Sequence, residues 1–241
     1  MFYYYNGTKV YYQRFGKPSR NTTLLLHGWG RTGEDFSKLI SQFPQRSFLV
    51  VDFPPFGRSE KDLQGWSIFT YAQMVISLCE HLKITSIDIL GHSFGGRIAL
   101  LLCAVNRSYV HSCIITGGAG IKPKRNLNYY YKVAKFKLYK RFGKNVNNFG
   151  SNDYQSLSPE MRKTFVNIVQ THLDDYAKTI TTPVLLIWGK QDLETPLYMA
   201  KKLNKYIKKS RLEIIENCGH FCFLESSLSF YGIVKQFWEE E

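Results

Sequence analysis

Between a short apolar run (Ile87, Ile89, Leu90) and a helical run from Arg97 to Leu102, the chain places Gly91-His92-Ser93-Phe94-Gly95. A serine in a G-x-S-x-G turn from strand to helix is held in a strained backbone conformation, and the flanking glycines let the strand and helix approach without a Cβ clash. Its hydroxyl is forced outward. The helix that starts there aims free N–H groups and its dipole at the place where an oxyanion would form. Such a turn requires a strand within a sheet and a helix packed on it, so the rest of the chain must supply both.

It does. Val10–Phe15, preceded by Asn6-Gly7, reads as the second arm of a hairpin. Short apolar runs follow at Thr23–Leu26, Phe48–Val51, Ile87–Leu90, Ser112–Ile115 and Val184–Trp188. Their lack of alternation suits strands covered on both faces, as in a mostly parallel sheet. Helical patterns lie between them at Asp35–Phe43, Ile68–Leu82 and Phe94–Val105. A helix near Pro196–Ile207, a strand at Leu212–Ile215 and a helix near Ser227–Glu240 close the chain. The reading is an α/β fold, a mostly parallel, helix-flanked sheet.

Residues 120–181 break the alternation and read as a helical lid inserted before the strand that carries the acid loop, leaving 1–119 and 182–241 as the core. Leu127, Tyr131, Ala134, Leu138 and Phe142 form an apolar stripe at helical spacing. A second pattern, Met161 to Leu173, follows Ser158-Pro159-Glu160, an N-cap with proline at the first helical position.

A serine needs a base and a group that fixes the tautomer of that base. Two loops after strands supply them, Gly189-Lys190-Gln191-Asp192 and Glu216-Asn217-Cys218-Gly219-His220, both at the carboxyl edge of the sheet. Ser93, Asp192 and His220 are therefore the candidate catalytic residues, with Glu194 as the competing, more distal acid. The loop His27-Gly28-Trp29-Gly30 follows an early strand. Trp29 and Phe94 are the expected N–H donors to an oxyanion, and both line the expected substrate pocket. His27 is expected to tie down its loop, and His92 to pack under the turn.

The formal charge is +13, and the bias is regional, with nine basic residues and no acidic one between Ile121 and Gly150. No recognition motif accompanies it, so nucleic acid is not an expected partner. No apolar run approaches the ~18 residues that span a bilayer, and the start lacks the basic and apolar segments of a signal peptide, so a cytoplasmic protein is expected. Five scattered cysteines fit reduced thiols better than a disulfide framework. Cys218, His220 and Cys222 lack a fourth metal ligand at finger-like spacing. Neither metal nor cofactor is expected.

These motifs together, with Asp52-Phe53-Pro54-Pro55-Phe56-Gly57-Arg58-Ser59, resemble the α/β-hydrolase fold superfamily over nearly the whole chain outside the insertion. Pro55 stands where that family's turn usually has glycine. The resemblance implies a serine carboxylesterase acting on a small-molecule ester. Two branches sharpen it. On His27-Gly28-Trp29-Gly30 with Phe56-Gly57-Arg58-Ser59, the chain resembles the esterase that demethylates pimeloyl-carrier-protein methyl ester, which implies an acidic carrier protein or coenzyme A ester at the basic lid. On Gly95-Gly96-Arg97-Ile98-Ala99-Leu100, it instead resembles the menaquinone-pathway lyase of this fold, which implies Arg97 as a site for a substrate carboxylate. Tyr130, in the tyrosine-rich segment of the lid, is a further candidate for the pocket. A non-catalytic binding protein on the same scaffold is the alternative of another class.

Overall fold

The computed structural model describes residues 1–19, 21–61, 65–106, 108–125, 127–142, 154–155 and 157–241. Strands β1 (Phe2–Tyr5) and β2 (Thr8–Phe15) are joined by Asn6-Gly7. Both turn residues have positive φ, 48° and 84°, which is what a two-residue hairpin of matching twist requires and what Asn and Gly reach at least cost.

Next come β3 (Asn21–Leu26), a 3₁₀ turn at Gly33–Phe36, α1 (Ser37–Gln42) and β4 (Phe48–Asp52). The expected single helix at Asp35–Phe43 is thus split, its first turn being the tighter 3₁₀ form. Then α2 (Ile68–His81), β5 (Ser86–His92), α3 (Phe94–Val105) and β6 (Val110–Thr116) follow in alternation. The eight strands order as β1-β2-β4-β3-β5-β6-β7-β8, where β7 is Val184–Gly189 and β8 is Ser210–Ile215. The hairpin adds to β4 antiparallel, and every pairing from β4 to β8 is parallel.

Side chains of a strand alternate between faces, so a strand buried on both faces must be apolar throughout. Leu24 and Leu26 pack into one layer with Tyr71, Leu78 and Ile98, while Leu25 packs into the other with Phe36, Leu39 and Phe230. Helices α2, α3 and α7 (Leu197–Tyr206) cover the first face; α1 and α9 (Ser227–Glu240) cover the second, with α8 (Cys222–Glu225) beside them.

Between β6 and β7 lie α4 (Leu127–Arg141), α5 (Pro159–Gln170) and α6 (Asp174–Ala177). Ser158 caps α5 by accepting from the Met161 N–H at 3.4 Å, with Pro159 at the first helical position. The apolar stripe on α4 faces outward. Tyr131, Leu138 and Phe142 are 66%, 53% and 67% exposed, whereas Val133, Phe136 and Tyr139 are half-buried. Because α4 carries apolar residues on all sides, its spacing does not select a single inward face. Tyr130 falls in α4, but its side chain lies outside the described residues. No helix among the described residues is long and apolar enough to cross a membrane.

Candidate active site

Parallel strands deliver their following loops to one edge, and here those loops follow β3, β5, β6, β7 and β8. The turn after β5 holds Ser93 at φ 51° and ψ −108°, an unfavourable region for a residue with a side chain. Glycines on either side permit it. A Cβ on Gly91 would stand 2.6 Å from the Gly95 carbonyl oxygen, and one on Gly95 would fall on the carbonyl of Leu26. The turn is pinned by Ser93 N–H to Thr116 O (3.1 Å), Gly95 N–H to His27 O (3.0 Å) and Ala119 N–H to Ser93 O (3.0 Å). Phe94 opens α3, so its N–H has no acceptor within the helix.

The loop after β3 lies against this turn, since a Cβ on Gly28 would be 3.5 Å from that of Ser93. His27 does tie the loop down. Its Nδ1–H donates to Gly28 O at 2.7 Å, and its Nε2 accepts from Phe53 N–H at 2.8 Å. Burial lowers its pKa, in keeping with a neutral ring that needs Nε2 as an acceptor. Asp52 organises the next turn by accepting from Gly33 N–H (2.8 Å) and Arg58 N–H (3.0 Å). The Trp29 ring is held edge-on by Phe56, Phe94 and Phe165, with centroids 4.9, 5.4 and 5.2 Å away.

Asp192 and His220 meet. Asp192 Oδ2 lies 2.8 Å from His220 Nδ1, both residues being buried. Asp192 Oδ1 accepts from the N–H groups of Glu194 and Thr195, each at 2.9 Å, and the Thr195 hydroxyl lies 2.8 Å from Oδ2. Burial alone would raise the Asp192 pKa, but the bonds from His220 and Thr195 outweigh it and hold the carboxyl below its ordinary value. The two loops are stitched together by Lys190 N–H to Ile215 O (3.0 Å) and Gln191 N–H to Cys218 O (2.9 Å). Buried Trp188 donates its indole N–H to Thr195 O at 2.7 Å. Glu225 clamps the histidine loop from outside, accepting from Gly219 N–H (2.6 Å) and Phe221 N–H (3.0 Å) on either side of His220.

Ser93 and His220 both border the loop after β6: Ser93 N–H bonds to Thr116 O, and a Cβ on the next residue, Gly117, would be 2.9 Å from His220 Nδ1. They are not hydrogen-bonded to each other. His220 Nε2 is buried with no hydrogen-bond partner among the described residues, and the Glu194 carboxylate stands 3.4 Å from it. His92 lies under the pair, its ring centroid 4.7 Å from that of His220. Its Nε2–H donates to His220 O at 3.1 Å, and its buried Nδ1 has no partner among the described residues. Burial, with His220 close by, pushes its pKa down to about 3.

A cavity of about 540 Å³ opens at Ser93, lined by Trp29, Phe94, Arg97, Phe165, Ile168, Glu194 and Met199 among others. Arg97 is buried, and burial lowers its pKa to about 10. Its Nη1 donates to the carbonyls of Ile168 and of Thr171 (2.7 Å for the latter), which staples α3 to the end of α5. No acidic side chain pairs with it among the described residues. Sequence reasoning missed Thr195 and Glu225. The first stands at the fourth position of an Asp-x-x-Thr turn, a pattern that signals side-chain-to-backbone capping. The α5 residues in the cavity wall read only as part of the helical insertion, with none of them singled out.

A family model for the alpha/beta hydrolase fold matches residues 22–167 and 126–227. An uncharacterized hydrolase of Bacillus subtilis, YugF, is 28% identical, with 89% of each chain covered. The human serine hydrolase BPHL is 26% identical over 96% of this chain and 84% of its own. Among solved structures, MGS-M2, an alpha/beta hydrolase enzyme from a deep-sea metagenome library, superposes with a TM-score of 0.80 at 20% identity, covering 99% of this chain and 97% of that one. With its strained serine, buried Asp–His pair and matching family model, this chain belongs to the alpha/beta hydrolase fold family.

Proposed function

We propose that the protein is a serine hydrolase cleaving carboxylic esters or thioesters, with Ser93 as nucleophile, His220 as base, Asp192 as its orienting partner and the Trp29 and Phe94 N–H groups as oxyanion hole. The observation that carries this reading is the 2.8 Å Asp192–His220 bond at the same sheet edge as the strained Ser93. Asp192 keeps the proton on Nδ1 and leaves Nε2 as the basic atom. Ser93 Oγ gives its proton to Nε2 as it bonds to the substrate carbonyl carbon, and the carbonyl π pair moves onto oxygen, into the N–H groups of Trp29 and Phe94. Collapse expels the alkoxide or thiolate, which takes the proton from His220. Water then repeats the sequence and frees the acid. His220 Nε2 stands 3.4 Å from the Glu194 carboxylate, and catalytic hydrogen bonds such as that from Ser93 to Nε2 tighten in the complex with substrate.

The mostly apolar walls favour an apolar acyl group, and the charge of Arg97, which meets no acidic side chain among the described residues, favours a substrate with an anionic substituent. Residues 120–181 act as the lid, a reading supported by Phe165 and Ile168 of α5 in the cavity wall. The human relative's description as a serine hydrolase agrees with this chemistry. The test is turnover of short p-nitrophenyl esters. Ser93→Ala and His220→Ala should each lower kcat/KM by about 10³-fold or more, because a triad acts as a unit. Equal activity of wild type and Ser93→Ala would remove Ser93 from the role.

A further inference from the structure

The outward face of α4 is unusual for a surface helix. Tyr131, Ala134, Leu138 and Phe142 recur at spacings of three and four and are exposed, the three large ones by more than half. At 100° per residue they form one strip, with Lys135 and Arg141 along its two margins and Lys137 further round, all three exposed. The opposite side, Val133, Phe136 and Tyr139, is the half-buried one. Over residues 121–150 the sequence carries nine cations and no anion, and Lys135, Lys137 and Arg141 form no ion pair with an acidic side chain among the described residues. Apolar and aromatic side chains flanked by long cationic ones suit the boundary of an anionic bilayer. The rings and Leu138 enter the acyl region there, while lysine and arginine snorkel to the headgroups. A soluble acidic partner would use the cations and leave the apolar strip in water.

We propose that the outer face of α4 is a docking surface for anionic lipid membranes, on which the protein lies without spanning them. The position of the helix fits that role. Ile121 and Pro123, just ahead of α4, line the cavity at Ser93, so docking would bring the cavity rim close to the lipid surface. The proposal stands apart from the catalytic reading and does not rest on it.

The test is co-sedimentation of the whole protein with vesicles of phosphatidylcholine alone or with about 30% phosphatidylglycerol, at low and at 0.5 M salt. Binding to the anionic vesicles should exceed that to the neutral ones by at least about tenfold, and salt should weaken it by screening the cations. The double variant Leu138→Glu/Phe142→Glu should lower binding by about tenfold or more, and Lys135→Glu/Lys137→Glu/Arg141→Glu should do the same. All five positions are exposed, so thermal unfolding of both variants should match wild type. Three results would overturn the proposal: no sedimentation with anionic vesicles, undiminished binding by Leu138→Glu/Phe142→Glu, or salt-sensitive association with soluble polyglutamate and none with vesicles.

Discussion

His92 makes the fold sensitive to acid in a way that can be worked out in advance. Its pKa is pushed down to about 3, whereas an unfolded histidine titrates near 6.5. The unfolded chain therefore binds more protons than the native one between those values, and stability must fall as pH falls through that window. The contribution is fully present above about pH 6.5. With a folded value of about 3, one such group costs about 2 kcal/mol of stability between pH 7.5 and pH 5.0, from ~1.4 kcal/mol per pH unit over the part of the window crossed. The physical reason is local. Nε2–H already donates to His220 O, and a proton on Nδ1 would be buried against Gly28 with no acceptor among the described residues. Urea unfolding followed by tryptophan fluorescence at the two pH values, on wild type and His92→Gln, isolates the effect, because glutamine keeps an amide N–H at the Nε2 position and cannot titrate. His27 titrates equally in both proteins and drops out. Wild type should lose about 2 kcal/mol more than the variant. Equal losses would mean that His92 takes up its proton without penalty, and the burial argument would fail.

Thr195→Val keeps the shape of the side chain and removes the hydroxyl at Asp192 Oδ2, so kcat for an ester should fall by about tenfold with KM little changed. A comparable rise in KM would point to substrate contact instead. Gly95→Ala puts a Cβ on the Leu26 carbonyl; the variant should be destabilised by about 3 kcal/mol or more, and a melting temperature near that of wild type would contradict the packing. Arg97→Met removes the staple between α3 and the end of α5. It should cost about 1–3 kcal/mol of stability and raise KM for an anionic ester more than for a neutral one, and equal effects on the two esters would leave Arg97 as a staple only.

The parts of the site that lay open in the sequence are those set by local chemistry. Ser93 is fixed by two glycines and a change of periodicity, and Asp192 and His220 follow apolar strands at one edge of the sheet. The sheet itself was legible because Leu24 to Leu26 and Val184 to Trp188 are apolar without alternation, which only a doubly covered strand tolerates. Other features depend on partners distant in sequence. Glu225 clamps a loop through backbone N–H groups, which carry no signature in residue type. Glu194 reads as a solvated charge, and its side chain is 64% exposed, yet it reaches His220 Nε2. The orientation of α4 was hidden for another reason, since apolar residues on every side leave no moment to read.

The stitching of the β7 and β8 loops also orders events during synthesis. Ser93 leaves the ribosome early, and the bonds that pin its turn, from Ser93, Gly95 and Ala119, all run to residues 27–119, which are synthesised before β7 and β8. His220, the proposed base, comes from the loop after the last strand, held by Gln191 N–H to Cys218 O and by the Glu225 clamp. A serine without its base is a weak nucleophile. Under the proposed mechanism the nascent chain is therefore chemically quiet until β8 docks.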